Sequence, residues 1–446
     1  MKKTVKVIAM MLICVFLFSS CSNIYLFRSA DSLLTPPLYF DEYEGLVEVI
    51  KEEIGSDSFF CTPYSGDYKS GIIVEDIDGD SKNEAIVLYC DSTTDQIAKV
   101  RFYEEDGKDW TLSSNYIGYG NQVESVTVKD FDADGVNEVI VLWATSGVTT
   151  NRMLSVYHRS EETQEYKEIS NEACSTTFIA DIDGDSYEEI FLITTPSNNP
   201  AAPQRFARII GVYGGSAVLK GETNVDANIS RYAQIHMQNS SDNSTLMIYI
   251  DAYKGERQMI TEIIYWDSEK SELCNAFFDS DTMSTASTLR YEPIPCADIN
   301  SDGIIDVPYQ IEVLSSSVDP LAIDPSYIYI TSWLNCYPDG GFETIENALV
   351  NFEDGYKIAI SNEERYSIGL DKYPDINCWT VYEKNTETGE KIELYSLMTV
   401  TSDDFENTNY APVLEYDGKT VYANIYQSGA EKGITADYIK QKVTKL

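Results

Sequence analysis

Four acidic loops hold the residues of this chain whose types and spacing could do chemistry: DIDGDSKNE from Asp76, DFDADGVNE from Asp130, DIDGDSYEE from Asp181 and DINSDGIID from Asp298. Each sets oxygen-bearing side chains at its first, third, fifth and ninth positions and leaves the seventh to offer a backbone carbonyl. A hard cation of calcium size takes this kind of donor set. The expected ligands are Asp76, Asp78, Asp80 and Glu84 in the first loop, and Asp130, Asp132, Asp134 and Glu138 in the second. They are Asp181, Asp183, Asp185 and Glu189 in the third, and Asp298, Asn300, Asp302 and Asp306 in the fourth, where one carboxylate has become an amide. Carboxylates packed this closely repel one another, and a divalent ion among them removes the repulsion.

The elements that must position these loops are strands. An EF-hand loop runs on to a bidentate Glu at its twelfth position and lies between helices. Here the ninth-position acid runs directly into AIVLY, VIVLW, IFLI or VPYQI, and GIIVE, SVTVK and TTFIA lie upstream. These β-branched, apolar runs predict strand, acidic loop, strand: a hairpin built around a metal. The loops begin at residues 76, 130, 181 and 298. The first three are thus about fifty residues apart and the last gap is about twice that, which predicts a further unit without acids near QNSSDNSTLMIYI. About five units of several short strands predict a mainly β fold, a propeller whose closure would remove exposed sheet edges.

With these residues in view, the chain resembles the FG-GAP and VCBS repeats of integrin-like β-propellers, whose blades carry the loop D-x-[DN]-x-D-G-x-x-[DE]. The resemblance covers roughly residues 70 to 350. It implies calcium as the cofactor and the loop residues named above as its ligands. Ser81 and Ser186 depart from the family glycine at the sixth position, and the unit near Gln238 has no metal loop.

The N-terminus predicts the location. Lys2, Lys3 and Lys6 precede an apolar run from Val7 to Phe18, and LFSSC follows. This is the layout of a secretory signal over residues 1–20, and it resembles a bacterial lipoprotein signal, which implies lipidation of Cys21. Residues 21–40, with Pro36 and Pro37, are expected to be a tether. The expected protein is therefore lipid-anchored, outside the cytoplasm, and touches the membrane through its lipid alone. A net charge of -41, from 32 basic against 73 acidic residues, argues against nucleic-acid partners. Beyond Cys14 and Cys21 there are seven cysteines, an odd number with no C-x-x-C, and their spacing does not fix a pairing.

Between tether and first unit, Tyr43, Leu46, Val47, Ile50 and Ile54 fall at helical spacing and predict one short amphipathic helix opening a propeller region of residues 41–350. Residues 351–446 are expected to be a small α+β domain, with hairpin turns at NTETGE and YDGK and a last helix capped by Thr435. The chain has only two histidines, His158 and His236, and lacks G-x-S-x-G, H-E-x-x-H and phosphate-binding glycine loops. For most of the five tryptophans, Trp110, Trp143, Trp266, Trp333 and Trp379, blade-core packing is expected rather than a sugar platform. The sequence therefore points to a cell-surface binding or adhesion module for a protein or glycan, stabilised by calcium and without catalysis. The alternatives are an extracellular enzyme acting on polysaccharide and a scaffold for envelope assembly or sensing.

Overall fold

The apolar runs that follow the acidic loops become strands buried on both faces. The computed structural model describes residues 44–446 apart from 56–57, 92–95, 108, 161, 197–203, 241–244, 313–328, 386–387, 389 and 402–408. The expected signal, Cys21 and the tether lie outside the described residues. The chain is mainly β, with five antiparallel sheets.

Helix α1 (Glu44–Ile54) precedes a first sheet of β1 (Ser58–Phe60), β2 (Ile72–Glu75), β3 (Glu84–Asp91), β4 (Ala98–Asp106) and β5 (Asp109–Ile117), in which β1 and β2 share one edge of β3. A disulfide between Cys61 and Cys90 ties the end of β1 to β3. The second sheet is a seven-stranded meander of β6 (Gln122–Lys129), β7 (Glu138–Thr145), β8 (Val148–Arg159), β9 (Tyr166–Ala180), β10 (Glu189–Thr194), β11 (Arg205–Tyr213) and β12 (Ser216–Val225). Strand β9 belongs to two four-stranded halves, pairing with β8 over its first part and with β10 over its last. The third sheet is β13 (Arg231–Asn239), β14 (Leu246–Lys254), β15 (Gln258–Asp267) and β16 (Glu272–Asn275). Its first hairpin lies where the sequence calls for a unit without acids.

Strands β17 (Asp306–Glu312), β18 (Tyr329–Cys336), β19 (Phe342–Asn351) and β20 (Tyr356–Ile360) form the fourth sheet. This sheet runs past residue 350: the segment GYKIAIS pairs with β19, not with β21, the next strand in the chain. The fifth sheet has the order β21 (Ile368–Tyr373), β22 (Cys378–Lys384), β23 (Lys391–Val400), β25 (Lys419–Ile425), β24 (Ala411–Tyr416). Helices α2 (Gln427–Glu431) and α3 (Ala436–Lys442) follow, and β26 (Val443–Lys445) returns to pair with β20. Thr435 caps α3, its side chain accepting from the Tyr438 amide. Asp417 and Gly418, both with positive φ, turn the β24–β25 hairpin.

Neighbouring units stack face to face. In β7, Val139, Val141 and Trp143 pack on Ile86, Leu88 and Phe102 of the first sheet. The alternate residues Ile140 and Leu142 pack on Ile190 and Leu192 of β10. Phe191 and Ile193 then meet Ile248 and Ile250 of β14, and Tyr249 meets Val307 and Leu334 of the fourth sheet. A strand covered on both sides must be apolar at every position, which is why these segments read as unbroken runs. Each sheet is open, with no closure within any of them. The outer face of the first sheet is covered by Leu46 and Ile50 of α1, packed on Ala85, Val87 and Tyr103. Among the described residues, no helix is long and apolar enough to cross a membrane.

Candidate metal centres

Three acidic loops join one strand to the next, β2 to β3, β6 to β7 and β9 to β10, whereas the fourth enters β17 from the isolated bridge residue Ala297, so the expected hairpin is not formed there. A single hydrogen-bond scaffold recurs in all four. The ninth-position acid opens the strand that follows and is buried: Glu84, Glu138, Glu189 and Asp306 are 0–1% exposed. One of its oxygens accepts the backbone N–H of the second loop residue, from Ile77 at 2.7 Å, Phe131 at 3.2 Å, Ile182 at 2.9 Å and Ile299 at 3.1 Å. The first-position Asp accepts the N–H at position six, from Ser81, Gly135, Ser186 and Gly303 at 2.9–3.1 Å. The fifth-position Asp accepts the N–H at position seven at 2.8 Å every time. The first-, fifth- and ninth-position acids thus each spend at least one oxygen on folding the loop, and Asp181 and Asp298 spend both.

Holding this shape requires left-handed backbone at positions four and six. Loops one and three put glycine at the fourth position (Gly79, Gly184) and serine at the sixth, with φ of 69° at Ser81 and 77° at Ser186. Loops two and four do the reverse, with Ala133 and Ser301 at the fourth position and Gly135 and Gly303 at the sixth. A non-glycine residue costs about 1–2 kcal/mol there, partly offset by the greater freedom of an unfolded glycine. Ser186→Gly is therefore expected to stabilise the protein by about 0.5–1 kcal/mol. Unchanged urea denaturation would show the strain to be relieved elsewhere.

The free oxygens have different neighbours in each loop. Asp76, Asp78 and Glu84 bring ligand oxygens within 4.8 Å of one another, as do Asp130, Asp132 and Asp134, and Asp181, Asp183 and Glu189. Asp80, Glu138 and Asp185 lie outside these groupings, and no such grouping of the fourth loop is found among the described residues. There Asn300 donates to Asp302 at 2.8 Å, and Asp306 Oδ1 is buried without a hydrogen-bond partner. Asp130 Oδ1 and Asp132 Oδ1 in the second loop are likewise buried and unpartnered. Such orphaned oxygens fit a cation, since a buried acceptor without a partner is costly.

Basic side chains approach three of the loops. Arg159 bonds Asp78 at 2.5 Å and Glu104 at 2.8 Å. His158 Nδ1 lies 2.9 Å from Glu138 Oε1, so this histidine, which the sequence places in no recognisable context, belongs to the second loop. In the third loop the Lys220 ammonium sits among the acids, 2.7 Å from Glu189, 2.9 Å from Asp185 and bonded to Asp183. These three residues lie on β8 and β12. No sequence period marks them, because the approach is made across strands.

Burial pushes the Glu84 carboxyl up to about 7. It also raises Glu138, Glu189 and Asp306. The Lys220 ammonium is opposed by burial but held well above its ordinary range by hydrogen bonds to Asp183 and Glu189. A metal entering the third loop must displace this lysine. Charged hydrogen bonds are worth about 1.5–3 kcal/mol, so Lys220→Gln is expected to raise the affinity of that one site by about tenfold or more. Calorimetric titration of the variant should show it, and an unchanged isotherm would place the lysine outside the competition. Trp143 and Trp379 are buried in packing between sheets and Trp266 packs against such a cluster, whereas Trp110 is buried under α1 and Trp333 against Ile294 and Ile299.

No protein-family model and no curated protein sequence matches the chain. Solved structures show distant likeness. A hypothetical selenium-binding protein from Sulfolobus tokodaii is 8% identical over 47% of this chain and 54% of its own, with a TM-score of 0.28. A rhamnogalacturonan lyase from Bacillus licheniformis is 11% identical over 72% of this chain and 74% of its own, with a TM-score of 0.28. An endo-arabinase from Bacteroides thetaiotaomicron is 11% identical over 67% of this chain and 99% of its own, with a TM-score of 0.22. Likeness this weak assigns the chain to no family.

Proposed function

We propose that this chain is a calcium-stabilised binding module, an FG-GAP/VCBS-like β-propeller held at the cell surface by a lipid on Cys21, and that it binds a protein or glycan without catalysis. The observation that carries the reading is the fourfold repetition of one loop scaffold, in which Asp130, Asp132 and Asp306 each keep a buried oxygen without a hydrogen-bond partner among the described residues. The face-to-face stacking of successive four-stranded units also supports a propeller. Calcium, when bound, supplies positive charge that neutralises the clustered carboxylates. Asp130, Asp132 and Asp134 would hold it in the second loop, with Asp76, Asp78 and Glu84 doing so in the first. Asp181, Asp183 and Glu189 would take it only with Lys220 displaced.

Stabilised loops of this kind fix the geometry of a surface and take no part in bond making. The soluble domain is expected to retain a ligand from cell-surface extracts or a glycan panel in calcium, to lose it when metal is stripped, and to leave the ligand uncut. Turnover of a polysaccharide that vanishes on changing one acid outside the four loops would overturn this reading in favour of an enzyme.

A further inference from the structure

A cavity of about 650 Å³ opens where the start of β13 meets the second sheet. Arg152 on β8, Arg205 at the start of β11 and Arg231 at the start of β13 all line it, and no carboxylate does. Three arginines converge here on a chain of net charge -41. Arg205 is only 4% exposed. Its Nη1 donates to the Ile229 carbonyl and to the Tyr232 hydroxyl, each at 3.1 Å, and its Nε is buried without a hydrogen-bond partner among the described residues. Arg231 stacks on the Tyr253 ring at 3.6 Å, which orients its guanidinium while its donors have no side-chain hydrogen bond among the described residues. Arg152 is engaged with Glu124 and with the Ser175 carbonyl.

A buried guanidinium without a counter-charge is costly, and an anion in the cavity would remove the cost. The planar donor fork of arginine suits a carboxylate or another oxyanion. The rest of the lining mixes the polar side chains of Ser175, Thr176, Ser230 and Gln234 with the Tyr232 ring, Ala233 and Ile235. Such a wall recognises hydroxyl groups. The volume lies in the ordinary range for small-molecule sites, about 300–1,000 Å³. An extended polyanion would be repelled by the acidic surface, whereas a small anion needs only to enter a concave site.

We propose that this cavity is the ligand site, and that it takes an acidic sugar, its carboxylate held by Arg205 and Arg231 and its hydroxyls by the polar wall. The assignment rests on the binding reading above and names its ligand class, without depending on the metal. The test is calorimetric titration in saturating calcium with D-glucuronate and D-galacturonate, with glucose and galactose as neutral counterparts and inorganic sulfate as the bare anion. One or both uronates should bind saturably, sulfate more weakly, and the neutral sugars not at all.

Arg205→Met should weaken uronate binding by about thirtyfold or more. Arg231→Ala, at an exposed position, provides the same test where the fold is not at risk, and circular dichroism confirms the fold of both. Absence of saturable uronate binding, or wild-type affinity in both folded variants, would overturn the site. Sulfate binding tighter than either uronate would overturn the sugar assignment. A ligand captured from surface extracts with undiminished affinity by Arg231→Ala would sink the cavity and leave the binding reading standing.

Discussion

Removal of calcium is expected to lower the unfolding free energy by about 1–4 kcal/mol. Extracellular sites of this kind bind at about 0.1–1 mM, so roughly 1 mM calcium contributes about 0.4–1.4 kcal/mol per site over the three loops that hold no lysine. The same loops predict an opposite pH response in the metal-free protein. Burial raises the Glu84 carboxyl to about 7 and shifts Glu138, Glu189 and Asp306 in the same direction. The folded state then binds more protons than the unfolded one, so stability is present below the ordinary carboxylate range and is lost as pH rises towards 7. Metal-stripped protein should unfold at higher urea at pH 5 than at pH 8, and saturating calcium at pH 8 should restore the midpoint. Identical curves with and without calcium, at both pH values, would remove the metal from the account of this fold.

Arg290→Met should cost about 3–5 kcal/mol, because it strands a buried charge. Arg290 and Asp251 are 0% and 1% exposed and are paired at 2.6 Å. Arg290 also donates to Thr261 Oγ1 at 2.9 Å and to the carbonyls of Thr288 and Ile294. Asp251 in turn accepts from the Cys296 amide at 2.8 Å and from Gln234 at 3.0 Å. The pair thus pins the segment after β16 onto the third sheet. Asp251→Leu alone should be similarly damaging, while the double variant should lose much less than the two losses combined. Additive losses in urea titrations would show that the two charges do not compensate each other.

Several features were legible because their causes are local. The acidic loops span nine residues, and their scaffold is made by bonds between residues two to seven apart, so spacing alone reveals it. The apolar runs after them announce strands because sheets cover both faces of β7, β10 and β14. Helix α1 follows from the period of Leu46, Val47 and Ile50, and the cap of α3 from Thr435. In each case the residues that dictate the structure are neighbours in the chain.

What tertiary structure alone decided is which distant residues meet. Lys220 enters the third loop from two strands across the sheet, His158 the second from the adjacent strand and Arg159 the first from the neighbouring sheet. Strand β26 completes the fourth sheet beside β20, and Cys61 pairs with Cys90 among several cysteines of equal promise. Arg152, Arg205 and Arg231 are scattered through an acidic sequence, and only the approach of β13 to the second sheet gathers them into one cavity. The acidic spacing that could hold a metal, and the strand character around the loops, are written in short-range sequence. The partners of those loops, and the arginine-lined cavity between β13 and the second sheet, depend on long-range packing, which no local pattern encodes.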